Sequence, residues 1–219
     1  MRYYDSFIAC DIETTGFNIK KGSRIIEIGA VKVISESAHS VFSTLVGPKR
    51  YISKEISELT NISAEMLEGK PEIGEVLRNF LDFAGDLPLL FHSATFDMRF
   101  IRPACKENLG VDISNIVLDT CDLAKKNRRI LPFRNGPDPE ALQLAEKLNN
   151  MFASFENREA RFRKTHEPEK IVKPDSCSLG NLSRVFGTRN VAAHTALSDA
   201  VAAAKLYFML WYYIRKFNI

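Results

Sequence analysis

The chain has 219 residues, 45% hydrophobic and 26% charged, which fits one globular domain and excludes collagenous, heptad-repeat and low-complexity architectures. A net charge of +3, from 30 Lys+Arg against 27 Asp+Glu, permits a nucleic-acid partner without arguing for one. The start MRYYDSFIAC lacks the apolar core of a secretory signal, and no apolar stretch reaches the roughly 20 residues that span a bilayer, so a cytoplasmic protein with no membrane partner is expected.

The elements expected in chain order begin with a short buried strand, Phe7–Asp11, broken by Thr14-Thr15-Gly16. A β-branched strand follows at Ile25–Ile34, then a third at Ser40–Val46, stopped by Gly47-Pro48; the short links predict an antiparallel meander. From Ile73 to Phe83 the apolar spacing becomes helical. A brief strand at Leu87–Phe91, a helix at Phe96–Lys106 and a strand at Ile116–Leu118 then read as parallel strands with crossover helices. The sum is an α/β fold, a mixed five-stranded sheet flanked by helices.

The stretch from about 129 to 174 breaks this rhythm with five prolines and reads as a charged helical insertion within a single domain spanning 1–219. Residues 125–174 carry 12 Lys+Arg against 7 acids. The helix expected at Glu140–Arg163, with Leu142, Leu144, Leu148, Met151, Phe152 and Phe155 as its apolar side, reads as a solvated cap rather than a phosphate-binding arm, because acids interrupt its positive charge. A short helix at Leu179–Phe186, ended by Gly187, and a long final helix, Thr195–Phe217, complete the chain. The final helix is apolar nearly all round, and its surplus aromatics suggest a homodimer interface. Cys10, Cys105, Cys121 and Cys177 lack zinc-ligand spacing and read as reduced thiols.

Three local signals carry chemistry. Asp11-Ile12-Glu13 ends the first strand, and residues two apart on a strand share a face. Two close carboxylates repel each other and stay ionised when a hard cation such as Mg²⁺ or Mn²⁺ sits between them. Asp97 lies in FHSATFD, at the entry to a helix. His194 and Asp199 frame HTALSDA; five residues on a helix turn roughly 140°, so the pair works together if His194 sits on the loop and Asp199 in the first turn. Each signal alone reads equally as a solvated strand end, a helix-start acid or a surface histidine.

Taken in order, FIACDIETTGF, GSRIIEIGAVKV, ISELTNISAEMLEGKP, LLFHSATFDMRFI and HTALSDA resemble the DEDDh family of 3′→5′ exonucleases, in the ribonuclease-H-like superfamily with the proofreading exonucleases and ribonuclease T. The resemblance covers about residues 5–125 and 175–215. It implies that Asp11, Glu13, Asp97 and Asp199 bind two Mg²⁺ or Mn²⁺ ions, and that His194 is the general base. It further implies that 5′-nucleoside monophosphates leave a single-stranded or frayed 3′ end of DNA or RNA. Thr14, Thr15, Gly16, Phe17, Thr60, Ile62, His92 and Phe96 are expected to meet the substrate, with the aromatic faces stacking on the terminal base. The alternative is a catalytically weak module that binds nucleic-acid ends or accompanies a polymerase; the complete acid set argues against it. Two positions depart from the pattern: Asn61 replaces the glycine of Leu-Thr-Gly-Ile, and Ser93 stands where the family has asparagine after His92.

Overall fold

The computed structural model describes residues 2–47, 52–133, 135–160, 176–190 and 194–218, without the side chains of 157–160. The end of the insertion, 161–175, lies outside the described residues. Three strands open the fold: β1 (Phe7–Thr14), β2 (Ile25–Ile34) and β3 (Ser37–Leu45). Short helices α1 (Lys54–Thr60) and α2 (Ala64–Leu67) lead to α3 (Ile73–Ala84). Then come β4 (Leu89–Phe91), α4 (Ala94–Leu109), β5 (Val117–Asp119) and α5 (Thr120–Lys126). Helices α6 (Pro139–Ala160), α7 (Leu179–Phe186) and α8 (Ala196–Lys216) complete the described chain.

The five strands form one sheet in the order β3-β2-β1-β4-β5. β1 pairs antiparallel with β2, and β2 with β3, whereas β4 joins β1 and β5 in parallel. The expected mixed α/β sheet with an antiparallel meander is therefore the observed one. β1 runs three residues further than expected, through Thr14, because its pairing with β2 continues past the carboxylates to Thr14↔Ile25. Helices cover both faces. On one, Ile8, Cys10 and Ile12 of β1 meet Val76, Leu77 and Phe80 of α3 and Phe100 and Ile101 of α4. On the other, Phe7 and Ala9 meet Leu197, Val201, Ala204 and Tyr207 of α8.

The insertion helix belongs to this second layer and is not a solvated cap. Ala141, Ala145, Leu148 and Phe152 of α6 are buried with α7 and α8. Leu142, expected on the apolar side, is 49% exposed. The other expected residues, Leu144, Leu148, Met151, Phe152 and Phe155, pack into or against this layer, and Ala141 and Ala145 widen the buried stripe. α6 begins one residue earlier than expected because Pro139 opens its first turn, where a missing N–H costs nothing. Asp138 caps it by accepting from Ala141 N at 3.1 Å. The aromatics of α8 are largely consumed inside the chain: Tyr207, Phe208 and Tyr213 are buried, and Tyr3 stacks on Tyr207 and meets Trp211 edge-on.

Candidate active site

The carboxylates meet because of a glycine. Asp11 pairs across the sheet with Gly29 and Glu13 with Glu27, so all four lie on the face that carries α8. A Cβ at Gly29 would lie 2.1 Å from Leu197 N and 2.2 Å from Ala196 C. Only a residue without a side chain lets the first turn of α8 descend onto the strand beside Asp11. Glu27, 1% exposed, accepts from Ala196 N at 3.2 Å and holds that helix start to the sheet. Thr195 adds a cap from its hydroxyl to Ser198 N at 3.3 Å. Asp199, in the first turn, thereby reaches Asp11 and Glu13: one oxygen of each lies within 4.8 Å of the others.

Asp97 approaches from the other side. β4 lies parallel to β1, so the ends of both strands open on one edge of the sheet, and the first turn of α4 stands above it. Asp119, at the end of β5, fixes that turn: its carboxylate accepts from Ser93 N at 3.1 Å and Ala94 N at 2.9 Å, and from Cys121 N at 2.8 Å and Asp122 N at 3.1 Å to cap α5 as well. Asp97 is 2% exposed, and its Oδ1 has no hydrogen-bond partner. Asp11, Glu13, Asp97, Asp199 and His194 all line one cavity of about 340 Å³, together with Thr14, Gly16, Phe17, Thr60, His92 and Phe96.

The electrostatics follow from four acids in one partly dry cleft. Burial, then the charges of Asp97, Asp199, Glu13 and Glu27, push Asp11 well above the carboxylate range. Burial likewise raises Asp97, against hydrogen bonds from its own backbone and that of Ile12. Burial raises Asp199 too, opposed by Asn190 and His194. Burial also pushes His92 down to about 4, so it is neutral near pH 7, with Nδ1 2.8 Å from Thr120 Oγ1. The donor set fits divalent cations: hard carboxylate oxygens, clustered, one with an unused acceptor, and strained by mutual repulsion that positive charge would relieve.

Over residues 8–207 the chain matches the RNase T family model, described as an exonuclease. The chain belongs to this exonuclease family. It is of DEDDh type with the ribonuclease-H-like fold, as the motifs implied. The PolC-type DNA polymerase III of Clostridium perfringens is 44% identical over 121 residues, 55% of this chain and 8% of that protein. The epsilon subunit of DNA polymerase III from Aquifex aeolicus is 40% identical over 121 residues, 55% of this chain and 59% of that protein. The chain thus spans less than a tenth of its PolC-type relative and under two thirds of the epsilon subunit. The E. coli ExoI–ssDNA complex in its zinc-bound form superposes with a TM-score of 0.66 at 17% identity, over 98% of this chain and 43% of that one. Exonuclease X in complex with 5′ overhanging duplex DNA gives 0.54 at 19%, over 97% and 93%. At such identities the likeness is one of fold.

Not every residue expected at the exonuclease site lies there. Ile62 is fully buried with Ile26, Ile52 and Leu67 in a separate small cluster. Thr15 does not line the cavity; its hydroxyl accepts from Arg24 N at 3.0 Å and its N–H donates to Arg24 O, closing the turn after β1. Thr60 lines the cavity but spends its hydroxyl on Ile56 O at 2.9 Å. Phe17 is 70% exposed at the rim, 6.0 Å from the ring of Phe96. Gly16 holds φ +150, with Ser23 Oγ 3.0 Å from where a Cβ would sit. Both departures from the family pattern fall on left-handed backbone: Asn61 ends α1 at φ 54 and Ser93 precedes α4 at φ 72. Asparagine takes that conformation readily in place of glycine, and serine less so.

Glu27 and Asn190 went unnoticed in the sequence. Asn190 donates to Asp199 Oδ1 at 2.6 Å and accepts from Ser198 Oγ at 2.8 Å, while His194, at φ 66, donates its backbone N–H to Asp199 Oδ2 at 3.2 Å. Glu27 lies in the second-strand stretch GSRIIEIGAVKV but its partner Ala196 is distant in sequence, and Asn190 lies outside every expected motif.

Proposed function

We propose that this chain is a 3′→5′ exonuclease that uses two Mg²⁺ or Mn²⁺ ions to release 5′-nucleoside monophosphates from single-stranded or frayed 3′ ends of DNA. Residues 1–219 would form one exonuclease domain, with 129–174 inserted in it. The observation that carries this reading is the meeting of Asp11, Glu13 and Asp199 within 4.8 Å, beside an Asp97 whose buried Oδ1 has no partner. DNA is favoured because relatives 44% and 40% identical bear the names of DNA polymerase III chains.

Asp11, Glu13, Asp97 and Asp199 would hold the ions. When bound, such ions supply a water of lowered pKa and neutralise charge on the scissile phosphate. His194, exposed beside the acids, takes the proton of the attacking water. Phe17, at the rim against Phe96, offers a face for the terminal base without reading its identity. Gly16 lets the backbone at the end of β1 lie close to the strand end.

The test is a digestion panel of single- and double-stranded DNA and RNA, labelled at the 5′ end, with Mg²⁺, Mn²⁺ or EDTA. A ladder shortening from the 3′ end, abolished by EDTA, is expected. His194→Ala should lose roughly 10²–10⁴-fold in turnover while keeping metal binding. Digestion indifferent to EDTA sinks the metal reading, and His194→Ala at the wild-type rate sinks the base assignment.

A further inference from the structure

We propose that helix α6 of the insertion is a strut for the metal site: Asn149 and the buried Glu156–Lys205 pair hold the 187–190 loop so that Asn190 fixes the carboxylate of Asp199. This rests on the reading of Asp199 as a metal ligand. Asn149, 7% exposed, uses both ends of its amide on that loop, donating to Gly187 O at 3.1 Å and accepting from Arg189 N at 2.8 Å. Two turns further along α6, Glu156 binds Lys205 Nζ at 2.8 Å, and the same ammonium donates to Arg189 O at 3.0 Å. Arg189 is therefore gripped at its N–H from α6 and at its carbonyl from α8. The next residue is Asn190, 2.6 Å from Asp199 Oδ1.

The polar positions of α6 explain themselves on this reading. Asn149 and Glu156 are seven residues apart, on the stripe that carries Ala145, Leu148 and Phe152 into the core. Leucine at either position would pack as well; a side-chain amide and a carboxylate are what a loop and a buried ammonium require. Asn149 and Lys205 reach the 187–190 loop directly, and Glu156 acts on it through Lys205. The carboxylate of Asp199 is thereby turned by a residue whose own backbone is clamped, which is how outer-shell groups hold a metal ligand in orientation.

Mn²⁺ binding by calorimetry on the full chain tests this, alongside thermal melting. Asn149→Ala and Asn190→Ala should each weaken Mn²⁺ binding about 10-fold, and the double variant no more than the weaker-binding single, because both act on one carboxylate. Phe80→Leu, in α3 on the opposite face of the sheet, should lower the melting temperature and leave Mn²⁺ affinity intact. If Asn149→Ala does not fold, Asn149→Ser, which keeps one hydrogen-bonding group, is measured in its place. Wild-type affinity in the Asn149 variant, additive losses in the double variant, or an equal loss in Phe80→Leu overturns the strut. A wild-type chain that binds no Mn²⁺ instead overturns the reading of Asp199 as a metal ligand, a different and separable result.

Discussion

Two groups of buried charge sit on the same helix, and they are built in opposite ways. At the first turn of α8, Asp199 joins Asp11, Glu13 and Asp97; burial raises three of the four, and neighbouring carboxylates raise Asp11 and Asp97 further. Two turns later Lys205, fully buried, meets Glu156 at 2.8 Å and a backbone carbonyl at 3.0 Å. The second group brings its own countercharge and closes a fold; the first brings only negative charge and leaves Asp97 Oδ1 without a partner. An uncompensated cluster is unstable by itself and gains when a cation enters, whereas a compensated pair has nothing further to recruit.

The comparison is broken most severely at the acids. Asp11→Asn should lower nuclease turnover on the order of 10⁴-fold, about 5 kcal/mol of transition-state stabilisation. The same substitution should raise the melting temperature in EDTA, because it removes one charge from the cluster. The pH dependence has a definite sign. A carboxyl raised in the folded state binds more protons there than in the unfolded chain, so the metal-free wild type should lose stability as pH rises from the ordinary value of 3.8 through the raised one. Melting curves in EDTA across that range should slope less in Asp11→Asn. A variant that melts below wild type in EDTA would mean that the cluster is a stabilising network and not a strained one.

At the compensated pair the expectation reverses, with loss of stability first and of activity second. Lys205→Met removes the ammonium from the buried Glu156 and the donor from Arg189 O, and should cost about 4 kcal/mol. The double variant Lys205→Met/Glu156→Leu should recover most of that stability, since well-packed apolar groups replace a buried pair at little cost. Denaturant titrations of the three proteins decide it; a double variant as unstable as the single would show that the carbonyl contact, and not the loss of the ammonium beside Glu156, dominates.

How far the sequence revealed each region follows from the range of the forces involved. Asp11 and Glu13 were legible because period-two alternation is local, and HTALSDA because a loop histidine and a first-turn acid are neighbours in sequence. Strand directions, though not the order of strands in the sheet, followed from short links and crossover helices. Gly29 was not legible as the residue that admits α8, since its close approach to Leu197 joins positions 168 residues apart. On α6 the apolar side was legible at Leu144, Leu148, Met151, Phe152 and Phe155, but not at Ala141 and Ala145 or at the buried polar positions Asn149 and Glu156, and Leu142 faces solvent. Hydrophobicity marks a helix face only when its buried residues are large and apolar. Pro139 misled for a related reason: the same residue breaks a helix interior and begins a helix, and only the preceding Asp138 distinguishes the two.

The smallest effect concerns that Asp138, a half-buried counterpart to the buried pair. Its carboxylate accepts from Ala141 N at 3.1 Å and Tyr212 Oη at 2.8 Å and lies 3.2 Å from Lys216 Nζ, so it ties the start of α6 to the end of α8. Partial burial alone would push it up, but these donors and the ammonium hold it down to about 2. Asp138→Ala should cost about 1 kcal/mol by loss of the cap. Asp138→Asn keeps a capping oxygen and loses only the charge, so it should cost roughly 0.5 kcal/mol at low salt and less at high salt. The folded value lies below the ordinary 3.8, so the stabilisation is complete above 3.8 and fades as pH falls through about 2. The gap in melting temperature between wild type and Asp138→Asn should therefore be constant at neutral pH and close between about pH 4 and 2. A gap that persists unchanged at pH 2 would assign the effect to geometry and not to charge.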